Sequence, residues 1–305
     1  MNPRDNEIER IKKDILESGL PLEVEISETL KQNEWTVRNQ SYYLDYEEEK
    51  GRSIDILAVK RFKTRNSQIF DEVEIDLVIE CKKSMKPWVF HTVGKNEDRY
   101  LRAGKIKELG LIPFGLYVKP WLNPKIDRSI IPEKIDKSYL TLFFEQITRL
   151  CNISHYLNQN YNQIGIIPYV AFTKKGEDDG RDDLFKAKNQ VIKATIFQSD
   201  CANAIIKMHN EYSIGFIYPI IVLDGKLYQY RRSGNLDVVP IQYILYRTHY
   251  HKFQKQRATD VLPEAKQFLA KTEDHYLIDV VKKDFFPNYL QIVEKEIEGL
   301  NEFFS

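Results

Sequence analysis

The spacing of apolar residues predicts two helices at the start of the chain. Residues 6–18 have the pattern of a short amphipathic helix, and a proline at position 21 suits the first turn of a second helix. In that second segment Leu22, Ile26 and Leu30 recur every four residues, as expected for the buried face of a helix that reaches about residue 33.

Three apolar runs after these helices predict consecutive strands. The first opens at Trp35 and continues toward Tyr43, and an acidic turn over 45–52 separates it from the second run at 53–62. The third run covers residues 73–83 and has an apolar middle, which is typical of a strand that crosses a core. The pattern therefore predicts a helix followed by a three-stranded meander.

The second half of the chain predicts a long helix, further strands and a closing helix. The amphipathic helix covers residues 183–208. The dipeptide Asp224-Gly225 separates the first two of the later strands, and it is among the strongest short signals for a hairpin. We therefore expect those two strands to pair with each other. The later strands and the closing helix are predicted at 214–223, 226–231, 238–246, 276–281 and 286–304.

The segment between the meander and the long helix has no clear period. Residues 84–183 contain many of the chain's 12 prolines, a strand-like run at 114–119 and a helix-like run at 139–157. We interpret this segment as a large insertion of mixed helix and strand after the third core strand. Residues 1–83 and 184–305 then form the core with a C-terminal elaboration, in an α/β fold with a mixed sheet flanked by helices.

Composition and charge narrow the class of protein. The chain has 45 basic and 45 acidic residues, so a surface coated in nucleic acid is not expected and basic patches must be local. Its three cysteines are far apart, which argues against a disulfide framework or a zinc ribbon. We find no signal core, no membrane-spanning run and no glycine-rich phosphate loop, and we expect a cytoplasmic protein with no membrane association and no nucleotide cofactor.

Two carboxylates stand inside apolar strands. Asp55 lies in the second strand, and Glu80 ends the apolar run Ile-Asp-Leu-Val-Ile-Glu of the third. Burying a carboxylate without a partner costs on the order of several kcal/mol, so something must compensate. A divalent cation is one candidate, and structural salt bridges on a sheet are the other. Lys82 follows Glu80 by two positions, so both point to the same face of a strand.

The order Asp55, 24 intervening residues and Glu80-x-Lys82 resembles the PD-(D/E)xK, or restriction-endonuclease-like, nucleases. The resemblance implies that fold, with Asp55 and Glu80 binding Mg²⁺ or Mn²⁺ and Lys82 orienting or deprotonating an attacking water. Ile54 stands where the family name has a proline.

The resemblance extends upstream to the second helix, as in Mrr-like members of the family. There Glu23 precedes an aromatic residue, Trp35, that opens the first strand. Glu23 lies nearer the apolar face of its helix than Glu25 does, because successive residues turn by about 100°. We therefore prefer Glu23 as the accessory metal ligand and keep Glu25 as the substitute. In the simpler interpretation, this glutamate only complements the helix dipole.

Basic residues near the two carboxylates are candidates for contacts with nucleic acid. Lys83 and Lys86 follow directly after the Glu-x-Lys motif, and Arg61 belongs to a basic turn that ends the second strand. A stretch over 246–257 interleaves basic and aromatic residues, which suits either phosphates and unpaired bases or a solvated edge strand.

Taken with the resemblance, these residues predict a metal-dependent endonuclease that hydrolyses DNA. The resemblance also implies a role in restriction or in defence against foreign DNA, as a homodimer or as a subunit of a defence complex. The alternative is a non-catalytic nucleic-acid-binding or protein-interaction subunit that keeps the nuclease fold.

Overall fold

The computed structural model describes residues 3–63, 72–94, 117–118, 163–172, 181–209, 213–233, 235–248 and 276–303. Its helices are α1 (Pro3–Glu17), α2 (Leu20–Gln32), α3 (Arg181–His209) and α4 (Phe286–Phe303), the last preceded by a 3-10 turn, Lys283–Phe285. Its strands are β1 (Thr36–Asp45), β2 (Lys50–Lys63), β3 (Glu72–Lys83), β4 (Trp88–Gly94), β5 (Tyr117–Val118), β6 (Gln163–Val170), β7 (Ser213–Asp224), β8 (Leu227–Ser233), β9 (Asn235–Pro240), β10 (Tyr243–Thr248) and β11 (Tyr276–Lys282).

The eleven described strands form one mixed sheet flanked by helices, as the hydrophobic pattern predicted at the level of fold class. The strand order is β1-β2-β3-β7-β11-β10-β6-β4-β8-β9, and the short β5 pairs with β7. The predicted meander is confirmed, because β1, β2 and β3 pair in antiparallel fashion in chain order. β3 and β11 then flank β7, and both run parallel to it.

Strand β7 lies inside the sheet, and its side chains from Ile217 to Leu223 are buried on both faces. Its pairing with β3 extends over the whole of both strands, from Glu72 opposite Ser213 to Lys83 opposite Asp224. Alternate residues of β7 enter two separate apolar clusters, because successive side chains of a strand point to opposite faces. This explains the continuous apolar run in the sequence. The residues of β7 are Tyr218, Ile220 and Val222 in one cluster, and Ile217, Ile221 and Leu223 in the other.

Different helices cover the two faces of the sheet around β3 and β7. The α2/α4-side cluster contains Leu22, Ile26 and Leu30 of α2, and Phe286, Tyr289, Leu290 and Val293 of α4. The α3-side cluster contains Leu184, Ala187, Val191, Ile192, Ala194 and Ile196 of α3. Polar side chains in the middle of β3, such as Asp76 and Glu80, are therefore removed from water.

The predicted hairpin at Asp224-Gly225 is wrong. Among the described strands, β7 pairs with β3, β11 and the short β5, whereas β8 pairs with β4 and β9. The connection after β7 runs beside the connection after β3: the Ser84 amide donates to the Asp224 carbonyl at 3.0 Å, and the Trp88 amide donates to the Lys226 carbonyl at 2.9 Å. A Cβ at Gly225 would lie 2.8 Å from the Ser84 carbonyl oxygen, so glycine is needed for this close approach.

Two strands of the predicted insertion, β4 and β6, belong to the same sheet as the core. They pair with each other, and they join β8 and β10 respectively. Trp88 and Phe90 of β4 are fully buried. Apart from residues 117–118, the predicted strand at 114–119 and the predicted helix at 139–157 lie outside the described residues, as does the basic and aromatic stretch beyond residue 248. The division of the chain into core and insertion stays a prediction.

In the described part of the chain, no helix combines the length and the apolar character needed to cross a membrane.

A buried carboxylate ties helix α4 to the sheet. Asp279 of β11 is fully buried and accepts hydrogen bonds from the hydroxyl groups of Tyr243 on β10 and Tyr289 on α4, the latter at 2.7 Å. Buried carboxylates are tolerated where donors surround them, and here one donor comes from the helix itself. The hydrogen bond between Tyr289 and Asp279 therefore fixes α4 against β11.

Replacing Tyr289 with phenylalanine keeps the ring but removes one donor from Asp279. We expect Tyr289→Phe to lower the free energy of unfolding by about 1–3 kcal/mol, because the buried acceptor loses a partner. Urea denaturation measures this change. Tyr228→Phe is the matched control. Tyr228 is half-buried on β8, and its substitution should have little effect on the free energy of unfolding. Equal midpoints for Tyr289→Phe and the wild type would contradict the anchoring role.

Candidate active site

The candidate site lies where the ladder between β2 and β3 ends. The two strands pair from Lys63 opposite Glu72 to Ile56 opposite Ile79. Asp55 and Glu80 are the next residues across from each other. The Cys81 amide donates to Oδ2 of Asp55 at 2.7 Å, so a side chain accepts the bond that a backbone carbonyl would accept in a continued ladder. The structure thus brings together the two carboxylates that the sequence placed on neighbouring strands.

Glu80 is almost completely buried and is bonded through one oxygen only. Its exposed fraction is 1%, and its Oε1 lies 2.7 Å from Nζ of Lys82, whose side chain is 25% exposed. This ion pair is the contact expected for residues two apart on one face of a strand. Within the described ranges, Oε2 of Glu80 is buried and has no hydrogen-bond partner.

Burial and like charges shift the ionisation of both carboxylates. Burial raises the pKa of Glu80 to about 7, and the charges of Asp55 and Glu23 add to this rise against the opposing effect of Lys82. Burial likewise raises the pKa of Asp55 to about 6, with a further contribution from Glu23, although the Cys81 amide and Lys82 oppose it. The pair therefore carries less negative charge at neutral pH than two solvated carboxylates would.

The Lys82 ammonium group is held in its charged form. Burial alone would lower its pKa, but the charges of Glu80, Asp55 and Asp183 outweigh burial and raise it. Lys82 consequently remains a cation at neutral pH.

Glu23 of α2 is the third carboxylate near the pair. Its charge contributes to the raised pKa of both Asp55 and Glu80, and its Oε2 accepts a hydrogen bond from Gln40 at 2.7 Å. Glu25 instead lies 3.3 Å from Lys283 and has a side chain that is 54% exposed. The placement favours Glu23 over Glu25 as the accessory carboxylate, and its role as a metal ligand stays a prediction.

Gln40, which sequence reasoning missed, occupies a strained position next to the site. Its φ of 50° lies in the left-handed region, which is uncommon for a residue other than glycine. The β1–β2 register pairs Asn39 with Ile56 and Ser41 with Ile54, so Gln40 lies across from Asp55. Such a conformation costs on the order of 1–3 kcal/mol. Nothing in the local sequence signals it, because glutamine is not a residue that favours this region.

Asp183, in the first turn of α3, is a further acidic residue that sequence reasoning missed. Its charge helps to raise the pKa of Lys82, so the start of α3 faces the site. Asp55, Glu80 and Asp183 thus set three acidic side chains around Lys82, and Glu23 adds a fourth beside Asp55 and Glu80. An excess of negative charge of this kind attracts cations.

The basic residues predicted to contact phosphates are less well placed for this role than the carboxylates are for theirs. Arg61 lies six residues along β2 from Asp55, or about 20 Å at the usual rise of a strand. Its Nε is 2.7 Å from Glu74, so the structure does not bring Arg61 to the site. Lys83 donates to the Leu16 carbonyl at 2.8 Å, at the end of α1, where cations suit the helix terminus. Lys86 is half-buried in the connection between β3 and β4.

The donor atoms of the site suit a magnesium-like cation. In the described ranges, no group of three or more His, Cys, Asp and Glu side chains could by itself hold a metal ion. Mg²⁺ does not require such a cage, because it keeps several waters and binds proteins through one or two carboxylates. Asp55 and Glu80 supply two hard oxygen donors. Glu80 Oε2, buried and unpartnered, is the atom that a cation or its water would relieve.

No protein-family model, curated protein or solved structure matches this chain. The resemblance to the PD-(D/E)xK nucleases therefore rests on the motif residues and their placement, and membership of that superfamily stays a prediction.

The raised pKa of Glu80 makes the stability of the metal-free protein depend on pH. The pKa rises from an ordinary value of 4.5 to about 7, so the folded state holds this proton more tightly than the unfolded state does. The protonated group makes its full contribution to the free energy of unfolding below about pH 4.5. This contribution is lost as the pH rises through about 7. In EDTA, we expect the free energy of unfolding of the wild type to fall between about pH 5 and about pH 8. The fall should exceed that of Glu80→Gln by on the order of 2–3 kcal/mol.

Urea denaturation of both proteins at the two pH values measures this difference. The matched control is Glu9→Gln, since the Glu9 side chain is 64% exposed and should leave the pH dependence unchanged. Parallel pH profiles for wild type and Glu80→Gln would show that the carboxylate is not held in a raised-pKa environment.

Proposed function

We propose that this protein is a metal-dependent nuclease of the PD-(D/E)xK kind, with a restriction-endonuclease-like fold, that hydrolyses phosphodiester bonds of DNA. One observation carries the proposal: Asp55 and Glu80 face each other where two antiparallel strands part, and Lys82 is ion-paired to Glu80. This is the arrangement that the motif resemblance implies.

The chain's own side chains fit a divalent cation as the missing partner. Asp55 and Glu80 would hold Mg²⁺ or Mn²⁺, with Glu23 as the accessory ligand. When bound, such a cation acts as a Lewis acid toward a phosphoryl oxygen and makes a nucleophile of a bound water. Two raised pKa values and one unpartnered buried oxygen support this fit, because each is relieved by positive charge at the site.

Lys82 contributes positive charge to the reaction. Its pKa is raised, so it acts as a cation that orients water and stabilises charge developing on the phosphate, and the deprotonating role is disfavoured. The ion pair with Glu80 fixes the position of its Nζ at the edge of solvent.

The remaining residues orient the carboxylates. The Cys81 amide binds Oδ2 of Asp55 and leaves Oδ1 as the second oxygen of that carboxylate. Gln40 fixes Glu23 through a hydrogen bond to Oε2. Partners of this kind hold metal-binding carboxylates in one orientation and tune their affinity.

The alternative, a non-catalytic binding or interaction subunit, accounts less well for the site. A surface that only binds nucleic acid presents basic residues to phosphates, whereas here three acidic side chains act on one lysine and a fourth acts on two of those carboxylates. Roles in restriction or defence, as a homodimer or within a defence complex, follow from the resemblance and extend the proposal.

Cleavage of plasmid and linear DNA with Mg²⁺ or Mn²⁺ tests the proposed activity. We expect EDTA to abolish cutting, and Asp55→Asn and Lys82→Met to slow it by about 100-fold or more, because each removes a charge used in the transition state. Circular dichroism confirms that the variants are folded. Arg61→Ala is the matched control, since Arg61 lies far from the site and should leave cutting unchanged. Cutting that survives EDTA and both substitutions would refute the assignment.

Binding of the cation should depend on pH through the two carboxylates. Metal ligands must be deprotonated, and the pKa values of Asp55 and Glu80 are about 6 and about 7. We therefore expect Mn²⁺ to raise the melting temperature more at about pH 8 than at about pH 5. Scanning calorimetry measures the two shifts, and Asp55→Asn should reduce both. An equal shift at both pH values, retained in Asp55→Asn, would place the cation elsewhere.

A further inference from the structure

Beside the candidate site, β1 has a buried hydroxyl group that makes no hydrogen bond to any described residue. Tyr43 is 3% exposed and belongs to the α3-side cluster, and its backbone pairs with Arg52 of β2. In the part of the chain that the structure describes, its hydroxyl group is buried and makes no hydrogen bond. Buried tyrosine hydroxyl groups nearly always have a hydrogen-bond partner, so we expect this oxygen to bind one as well.

The acidic residue closest to Tyr43 in sequence is already engaged. Asp45 accepts hydrogen bonds from Lys193 of α3 at 2.8 and 3.0 Å and from Arg52 at 2.9 Å. Its two oxygens therefore have strong cationic donors. The Tyr43 hydroxyl group is not needed to satisfy Asp45, and it makes no hydrogen bond to it.

Two other carboxylates act on this hydroxyl group, Glu80 and Glu48, and Glu48 is already ion-paired with Arg52 at 2.6 Å. Burial raises the pKa of Tyr43, the charge of Asp45 adds to the rise, and the charge of Glu80 adds further, whereas Arg52 opposes it. Oε2 of Glu80 is itself buried without a partner in the described residues. Val78, two residues before Glu80 on β3, lies with Tyr43 in the α3-side cluster, so the side chains of Tyr43 and Glu80 point to the same face of the sheet. Buried waters typically occupy such positions, where they make about three hydrogen bonds to otherwise unpartnered polar groups.

We propose that Tyr43 is a positioning residue of the site: its hydroxyl group donates to a buried water, which donates in turn to Oε2 of Glu80 and fixes that carboxylate for its cation. The inference rests on the proposed function, and it adds a second residue of β1, beside Gln40, to the site. Tyr43 acts through Glu80 and touches neither the cation nor the substrate.

Tyr43→Phe tests the inference, because it keeps the buried ring and removes only the hydroxyl group. We expect the Mn²⁺ concentration at half-saturation, measured by titration calorimetry, to rise about 10- to 100-fold, as for other partners of metal ligands. The cleavage rate at saturating Mn²⁺ should stay within a few-fold of wild type. The melting temperature in EDTA should stay close to that of wild type.

Tyr289→Phe is the matched control, since the Tyr289 hydroxyl group binds Asp279 and serves packing. It should lower the melting temperature with and without Mn²⁺ and leave the Mn²⁺ midpoint unchanged. The same behaviour in Tyr43→Phe would show a merely structural hydroxyl group and overturn the inference.

A crystal structure of the metal-free protein tests the water independently of any activity. We expect a water within hydrogen-bond distance of both the Tyr43 hydroxyl group and Glu80 Oε2, and its loss in Tyr43→Phe. No water there overturns the inference, even if the wild type cuts DNA. Conversely, a wild type that binds Mn²⁺ and holds this water but never cuts DNA refutes the nuclease proposal and supports the role of Tyr43.

Discussion

The parallel pairing of β3 with β7 is the interaction on which the rest of the structure depends. It extends over all 12 residues of β3, so this strand lies between two neighbours, β2 and β7, for most of its length. Helices cover both of its faces, and its two carboxylates Asp76 and Glu80 are removed from water. Asp76 meets this constraint with a hydrogen bond from Gln198 at 3.0 Å. Glu80 is ion-paired with Lys82 through Oε1, and the proposed cation site rests on its other oxygen, which has no partner among the described residues.

The short-range sequence pattern was sufficient to predict the part of the site that lies on consecutive strands. Alternation along β2 and β3 places Asp55, Glu80 and Lys82 correctly, because antiparallel neighbours joined in chain order leave little freedom in register. The same kind of reasoning failed at Asp224-Gly225. There the glycine serves the close approach of a second connection from β3 to β4, which is more than 130 residues away in sequence. A turn signal reports local geometry and carries no information on which strand will be the neighbour.

The sequence predicted several residue types of the site, but it largely did not predict which side chains contact each other. Arg61 and Lys83 are basic and near the motif, yet one is paired with Glu74 across the ladder and the other binds the end of α1. Asp183 reaches the site only because α3 packs across the sheet, and Gln40 only because β1 adopts a left-handed residue opposite Asp55. These contacts depend on tertiary packing, so the hydrophobic period cannot contain them.

Electrostatics explains why such a site can persist in a stable fold. Acidic groups in a low-dielectric interior repel each other, and raised pKa values let them take up protons in place of full charge. The protein thus tolerates an arrangement that is unfavourable when empty of cations and ionised, at some loss of stability. In the proposed function, a divalent cation would reverse the sign of the local charge and turn the same repulsion into binding energy. The two carboxylates, the strained Gln40 and the Glu80 oxygen that lacks a partner among the described residues would then all serve the binding of that cation.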